Sequence, residues 1–241
     1  MKPVLVLQHL VNDGPAYLAT WLGARRVPVA VRCTEAGDQF PGSLRGFSAL
    51  AILGGAMSAN DDMPSLRQAE ALVNEAVRTG VPALGHCLGG QLMARALGAS
   101  VRTSPAPEVG WQTIDRASND AARAWLGDAA RLTVFQWHFE AFDLPAGAQR
   151  VAGNAACPNQ AFAVGPHLAM QFHIEIDLPK LQAWSDALDD GYAPALAASP
   201  DSVQTVEAMR QGAGVHLAAH HGLADRIYRR WLNGAGVDFI K

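Results

Sequence analysis

The segment 85–91, GHCLGGQ, places Cys87 between a short apolar run and the start of an amphipathic stretch. That order predicts a buried strand, a sharp corner at the cysteine and a helix that begins within a few residues. Glycines on both sides of the cysteine permit a tight turn, and a helix N-terminus favours the thiolate form of a nearby thiol. Cys87 is therefore a candidate nucleophile. The alternative is a small buried cysteine at a glycine-rich turn.

A cysteine nucleophile requires a base, and the base requires a group that orients it. His173 follows the apolar segment 168–172, and Glu175 stands two positions later. If the strand predicted for that segment continues through both residues, their side chains project from the same face. The carboxylate of Glu175 can then fix the tautomer of the imidazole. A surface charge pair at a strand end is the alternative.

The first half of the chain has the alternating pattern of strands and helices that can position such groups. Apolar runs predict buried strands at 4–7, 27–31, 50–53 and 82–85, and amphipathic stretches predict helices at 17–24, 63–79 and 91–97. Asp62 is the predicted cap of the helix 63–79. Such alternation is typical of a parallel sheet with helices on both faces, so the predicted fold class is α/β.

The second half of the chain is predicted to be β-rich and then helical. Strands are predicted at 109–114, 132–137, 160–164 and 168–172, and helices at 180–188, 201–211 and 216–232. The segment 192–200 is predicted to be a linker. We expect one domain at 1–190 with a C-terminal helical extension at 191–241 that packs on the same domain.

Composition and charge exclude several classes of protein. Apolar residues make up 49% and charged residues 17% of the chain, which is typical of a globular protein and not of a disordered one. The net charge of −3 lacks the cationic excess of a nucleic-acid or membrane-surface binder. The cysteines are too few for a disulfide framework, and we find neither a signal peptide nor an apolar run that could span a membrane. We therefore expect a cytoplasmic protein.

The sequence predicts neither a metal site nor a cofactor. His216 and His220 stand four positions apart, so a helix would place both on one face. A zinc site requires a third ligand, and no glutamate follows His216 as in the helix of zinc proteases. A solvated or packed helix face is the predicted setting of these histidines.

Four segments stand in a fixed order along the chain: 53–61 (LGGAMSAND), 85–91 (GHCLGGQ), 135–138 (FQWH) followed by 142–145 (FDLP), and 171–175 (QFHIE). Together they closely resemble the class I glutamine amidotransferases, the superfamily of glutaminases with a Cys-His-Glu triad. The resemblance covers residues 4–180 and is greatest to the stand-alone, GMP synthase-like branch. It implies a flavodoxin-like fold with a central, mostly parallel sheet flanked by helices.

The resemblance also implies a role for individual residues. Cys87 would be the nucleophile, His173 its general base and Glu175 the group that orients the base. The implied oxyanion hole consists of Gly55 and Leu88. The implied substrate site consists of Gly54, Gln91, Trp137 and His138. The chain departs from the family at Ile174, where proline is usual, and at Phe139, where a small residue is usual.

The implied reaction is attack of Cys87 on the side-chain amide of glutamine or of a γ-glutamyl compound, release of ammonia or an amine, and hydrolysis of the thioester. The roughly 60 residues after Leu178 are fewer than a synthase domain needs and contain no phosphate-binding loop. Either a separate synthase subunit accepts the ammonia, or the protein is a γ-glutamyl peptide hydrolase. A catalytically silent binding or regulatory homologue is the other alternative, and a homodimer is a further expectation.

Overall fold

The computed structural model describes residues 1–236, apart from the side chain of Pro105. Its strands are, in chain order, β1 (Val4–Gln8), β2 (Val29–Cys33), β3 (Ala49–Ile52), β4 (Ala83–His86), β5 (Val101–Arg116), β6 (Arg131–Phe142), β7 (Gln149–Gly153), β8 (Ala161–Val164) and β9 (His167–Met170). Within the described residues they form one sheet in the order β2-β1-β3-β4-β9-β8-β7-β5-β6. The strands from β2 to β9 in that order are parallel, and the remaining four continue the sheet in antiparallel fashion.

The sheet separates two apolar cores, because alternate residues of a strand point to opposite faces. Val4 and Val6 lie in one core and Leu5 and Leu7 in the other, and all four are completely buried. The first core is covered by α1 (Ala16–Ala24), α4 (Asp120–Leu126) and α7 (Val206–Asn233), and the second by α2 (Pro64–Thr79) and α3 (Leu88–Ala96). A third, smaller cluster joins β5 and β6 to α5 (Leu178–Asp186) and α6 (Tyr192–Ala198). The predicted α/β class, with helices flanking the sheet, is confirmed.

The start of α2 differs from the prediction. The residue at its N-cap is Met63, and no side chain caps the helix, so the expected cap by Asp62 is wrong. Pro64 occupies the first turn instead, where its fixed φ suits the helix and its missing N–H costs nothing. The buried residues of α2 are Leu66, Ala69, Leu72, Val73 and Ala76.

The structure also corrects two predictions for the C-terminal part of the chain. The predicted linker 192–200 contains the helix α6, and the helices predicted at 201–211 and 216–232 are one continuous helix, α7, which begins at Val206. A Cβ on Gly212 would lie 2.4 Å from Cδ1 of Trp111, so the helix needs a glycine where it crosses that ring. This close packing offsets the weak helix propensity of glycine.

The last turns of α7 belong to the main core. Tyr228 and Trp231 are completely buried, and Nε1 of Trp231 donates to the carbonyl oxygen of Pro82 at 3.1 Å. The division of the chain at residue 190 stays a prediction, and residues 237–241 lie outside the described residues. Among residues 1–236, no helix combines the length and the apolar character that a membrane crossing requires.

Candidate active site

Cys87 occupies the corner between β4 and α3 with a positive φ of 48° and a ψ of −110°. Residues with a side chain rarely adopt such a conformation, so the surrounding structure must hold it. The N–H of Cys87 donates to the carbonyl oxygen of Met170 at 2.9 Å, and α3 begins at the next residue. The corner therefore presents the thiol at the N-terminus of a helix.

Three glycines around the corner permit close packing of backbone on backbone. A Cβ on Gly85 would lie 2.6 Å from the carbonyl carbon of Gly89. A Cβ on Gly89 would lie 2.2 Å from the carbonyl oxygen of Ile52, and one on Gly90 would lie 2.4 Å from that of Met170. The first turn of α3 thus lies directly on β3 and β9, and no larger residue fits there without a shift of the helix.

His173 and Glu175 lie in a turn, so the prediction that a strand carries both is wrong. The strand β9 ends at Met170. The N–H of His173 donates to the carbonyl oxygen of Phe135 at 2.9 Å. The N–H of Ile176 donates to the carbonyl oxygen of His173 at 3.4 Å, which closes a turn. The turn nevertheless brings Nδ1 of His173 to 2.7 Å from Oε1 of Glu175, and both side chains are buried.

Burial and charge act in opposite directions on this pair. Burial lowers the pKa of His173, but the charge of Glu175, its hydrogen bond to the imidazole and the proximity of Cys87 outweigh it and raise the pKa to about 10. Burial favours the neutral form of Glu175, but the charges of Lys180 and His173 outweigh it and hold the pKa of Glu175 well below its usual range. The pair is therefore an imidazolium and a carboxylate at neutral pH.

Lys180 and Asp13 extend the charge network, and sequence reasoning missed both. Nζ of Lys180 lies 3.2 Å from Oε1 of Glu175 and 2.6 Å from Oδ1 of Asp13, and it donates to the carbonyl oxygen of Gly14 at 3.0 Å. Burial opposes the charged form, but the two carboxylates outweigh it and raise the pKa of Lys180. Asp13 lies in the loop after β1 and Lys180 lies in the first turn of α5, so only the tertiary fold joins them and no local sequence pattern indicates the contact.

Side chains from α5 and α7 fix the turn that carries His173. The ring of Trp184 meets that of His173 edge-on, with centroids 4.7 Å apart. Nε2 of His220 lies 2.9 Å from the carbonyl oxygen of His173, and Nε2 of His221 lies 2.9 Å from that of Ile176. Burial lowers the pKa of His220 to about 4, so this ring is neutral and donates through Nε2.

Two cavities meet at Cys87. The first, which we call the His173 cavity, has a volume of about 250 Å³, and its lining includes Asn12, Asp13, His173 and Trp184. The second, which we call the Gln91 cavity, has a volume of about 360 Å³, and its lining includes Gln91, His138, Phe139 and Glu140. Gly55, Ala56, Cys87, Trp137 and Asp189 line both cavities. Cys87 therefore lies where the two cavities adjoin.

Comparison with known proteins identifies the family of this site. The family model described as glutamine amidotransferase class-I matches residues 18–182. The chain belongs to this family. The solved structure of a glutamine amidotransferase from Methylobacillus flagellatus has a TM-score of 0.92 and 34% identity, and the match covers 100% of this chain and 97% of that one.

Two relatives of this chain differ in how much of their length it matches. The glutamine amidotransferase-like protein YfeJ of Salmonella typhimurium is 28% identical over 186 residues, which is 73% of this chain and 77% of that protein. A GMP synthase of Actinobacillus pleuropneumoniae is 33% identical over 178 residues, which is 69% of this chain and 33% of the synthase. The chain therefore corresponds to about a third of the length of that synthase. The family resemblance is confirmed.

The neighbouring glycines Gly54 and Gly55 have different surroundings. A Cβ on Gly55 would lie 2.9 Å from Cδ2 of Leu88 and 2.6 Å from Sδ of Met57. A Cβ on Gly54 would lie 2.9 Å from Cε1 of His173. Gly55 thus faces the cavities next to Leu88, whereas Gly54 lies against the imidazole.

Gln91, Trp137 and His138 are brought together at the wall of the Gln91 cavity. Nε2 of Gln91 donates to the carbonyl oxygen of Glu140 at 3.0 Å, and Nδ1 of His138 lies 3.1 Å from the same oxygen. The carbonyl oxygen of Trp137 lies 3.5 Å from Sγ of Cys87, and Nε1 of Trp137 donates to Asp189 at 3.0 Å. The segment 137–140 is thereby held at both ends.

A buried group of potential metal ligands lies behind His138, and sequence reasoning missed it. One ligand atom from each of Glu108, His138 and Cys157 lies within 4.8 Å of the others. Nε2 of His138 lies 3.1 Å from Glu108, and the amides of Asn154 and Gln160 also donate to that carboxylate. Burial and the charge of Glu108 raise the pKa of Cys157 to about 12, so its thiol stays protonated. We interpret the group as a hydrogen-bond network that supports the cavity wall.

His216 and His220 share a packing contact on α7. Both rings lie against the ring of Trp111, each with centroids 5.4 Å from it, and Nε2 of His220 also lies 2.9 Å from the carbonyl oxygen of His173. The spacing of the two histidines therefore reflects their packing on one tryptophan.

Proposed function

We propose that the protein hydrolyses the side-chain amide of glutamine or of a γ-glutamyl compound by a Cys-His-Glu mechanism. The observation that carries the proposal is the cysteine at a strained corner, beside an imidazole that is bonded at 2.7 Å to a buried carboxylate. An imidazole with its pKa raised to about 10 is a suitable counterion for a thiolate. An orienting carboxylate behind the base is what nucleophilic catalysis of this kind requires.

In the first step, Sγ of Cys87 attacks the amide carbon and forms a C–S bond, while the carbonyl oxygen becomes an oxyanion. The N–H groups of Gly55 and Leu88 donate to this oxyanion, and one such donor is typically worth about 10²–10³-fold in kcat. The C–N bond then breaks as His173 gives its proton to the leaving nitrogen. Water attacks the resulting thioester, His173 accepts a proton from it, and the acid departs from a restored thiolate.

The γ-glutamyl part of the substrate is assigned to the Gln91 cavity. Gln91 and Trp137 line it directly. His138 holds the backbone of Glu140 in the wall, and Gly54 leaves room for the imidazole of His173. Phe139 also lines this cavity and limits its size at the position where the family usually has a small residue.

The fate of the released nitrogen separates two candidate functions. All residues that the hydrolytic steps require lie in this chain, so we propose hydrolysis as its own activity. Transfer of ammonia to a separate synthase subunit is the second candidate. The similarity to a protein named glutamine-hydrolysing GMP synthase favours it. A homodimer and a cytoplasmic location remain predictions.

Steady-state assays of glutamine hydrolysis test the proposed function. We expect Cys87→Ala to lower kcat by about 10³-fold or more. Cys33→Ala, which removes another buried thiol at the end of β2, is the matched control and is expected to stay within about twofold of wild type. Hydrolysis that persists in Cys87→Ala would overturn the mechanism. A wild-type protein that is inactive and whose Cys87 resists alkylation at neutral pH would instead be a silent homologue.

A further inference from the structure

The proposed mechanism assigns opposite ends of the substrate to the two cavities. His173 gives its proton to the leaving nitrogen, so that nitrogen must lie beside His173 when the C–N bond breaks. His173 lines the smaller cavity, whereas Gln91 and Glu140 line the larger one. The substituent on the leaving nitrogen must therefore extend into the His173 cavity.

Two tryptophans and a carboxylate line the His173 cavity, and two of these groups, Trp137 and Asp189, stand where it adjoins the Gln91 cavity. The rings of Trp137 and Trp184 meet edge-on, with centroids 5.7 Å apart. Asp189 stands at the exposed rim, where one carboxylate oxygen accepts from Nε1 of Trp137 at 3.0 Å and the other accepts from the N–H of Gly191 at 2.8 Å. Nζ of Lys180 already lies 4.9 Å from the centroid of the Trp184 ring, so Trp137 and the fixed carboxylate of Asp189 are the groups that can attract an organic cation.

The charges around the His173 cavity leave Asp189 without a cationic partner. Asp13 is paired with Lys180, and Glu175 is shared between Lys180 and His173. In the part of the chain that the structure describes, Asp189 forms no ion pair within 4.0 Å. This rim attracts a cationic group and repels an anionic one.

We propose that the His173 cavity selects γ-glutamyl amides whose leaving amine carries a second, positively charged ammonium group. This inference rests on the proposed function, because it concerns the same thioester reaction. The cavity volume of about 250 Å³ is roughly eight times the share of one water molecule in the liquid, which suits a short alkyl chain. The ammonium group lies at the rim near Asp189 and Trp137, and the amide nitrogen lies beside His173.

Four substrates test this selection on the full-length protein. They are the γ-glutamyl amides of 1,4-diaminobutane, of butylamine and of 4-aminobutyrate, and glutamine itself. The first three share a four-carbon chain and differ in the charge at its end. We expect kcat/KM to be highest for the cationic amide, about tenfold lower for the neutral one and lowest for the anionic one, with the differences shrinking at high salt.

Asp189→Asn and Asp190→Asn form the matched pair of variants. Asparagine at 189 keeps an acceptor for Trp137 but removes the charge, so the ratio of kcat/KM between cationic and neutral amides should fall from about ten to about two or less. Asp190→Asn changes a neighbouring exposed carboxylate that does not line the cavity and should largely keep the ratio. A wild-type ratio near one, or a ratio unchanged in Asp189→Asn, would overturn the selection while leaving the hydrolase intact. Failure of every substrate, glutamine included, would overturn both proposals.

Discussion

His220 on α7 holds the carbonyl oxygen of His173 with its Nε2 at a distance of 2.9 Å. The contact joins the C-terminal helix to the turn on which the imidazole and Glu175 lie. Because His220 is buried and neutral, its N–H serves as a fixed donor for that turn. The helix α7 thus helps to hold the candidate active site in place.

Loss of this contact should reduce activity without unfolding the protein. We expect His220→Ala to lower kcat about tenfold and the free energy of unfolding by about 1–3 kcal/mol, because a buried carbonyl oxygen loses its donor. His220→Gln, which restores an N–H donor, should recover part of kcat. His216→Ala on the same helix is the control and should change kcat little. Equal kcat values for the alanine variants at 216 and 220 would contradict this role.

Removal of the Glu175 charge should slow the reaction less than removal of the base. We expect Glu175→Gln to lower kcat by roughly 10–10³-fold and His173→Ala to lower it further, because a cysteine depends less on its base than a serine does. Glutaminase kinetics from pH 6 to 9 measure both variants. A Glu175→Gln variant equal to wild type over this range would reduce the triad to a dyad.

The ion pair of His173 and Glu175 should make the free energy of unfolding fall as pH rises. The pKa of His173 is raised from 6.5 to about 10 in the folded protein, so its charge stabilises the fold fully below pH 6.5. That contribution is lost as pH rises from 6.5 towards 10. Glu175→Gln removes the attraction between the carboxylate and the imidazolium, so the decline in the free energy of unfolding from pH 6.5 to pH 10 should be smaller. Denaturant unfolding at several pH values measures the two slopes, and parallel curves would contradict the assignment.

The alternation of apolar runs and amphipathic stretches was sufficient to predict the α/β class, because strands such as β1 are buried on both faces. The glycines around Cys87 were sufficient to predict the corner, since they reflect local backbone packing. The turn at 171–176 was not predicted, because polar and apolar residues alternate past the end of β9 and that alternation is typical of a strand. The contact between Lys180 and Asp13 depends on tertiary packing alone and left no pattern in the sequence.

Lys180 should be essential for stability, because it lies between two buried carboxylates. We expect Lys180→Met to lower the free energy of unfolding by about 3–5 kcal/mol, since removal of one member of a buried charge network leaves uncompensated charge. Adding Asp13→Asn should recover part of the loss, which a double-mutant cycle from denaturant unfolding measures. Strictly additive effects would show that the two side chains do not interact.

The tight corner should tolerate no side chain at Gly89. A Cβ there would lie 2.2 Å from the carbonyl oxygen of Ile52, so Gly89→Ala should lower the free energy of unfolding by about 2–3 kcal/mol and kcat with it. Gly23 in α1 has no atom within 4 Å of such a Cβ, so Gly23→Ala should be neutral or stabilising by up to about 1 kcal/mol. Thermal and denaturant unfolding compare the two, and equal losses would contradict the packing argument.

Covalent capture of the nucleophile tests the central claim most directly. The wild-type protein is incubated with a diazo-ketone analogue of glutamine, digested and mapped by mass spectrometry, with and without excess glutamine. We predict one adduct, on Cys87, whose formation glutamine suppresses and which is absent from Cys87→Ala. Labelling of Cys33 or Cys157 in place of Cys87, or labelling of Cys87 that glutamine does not slow, would contradict the account.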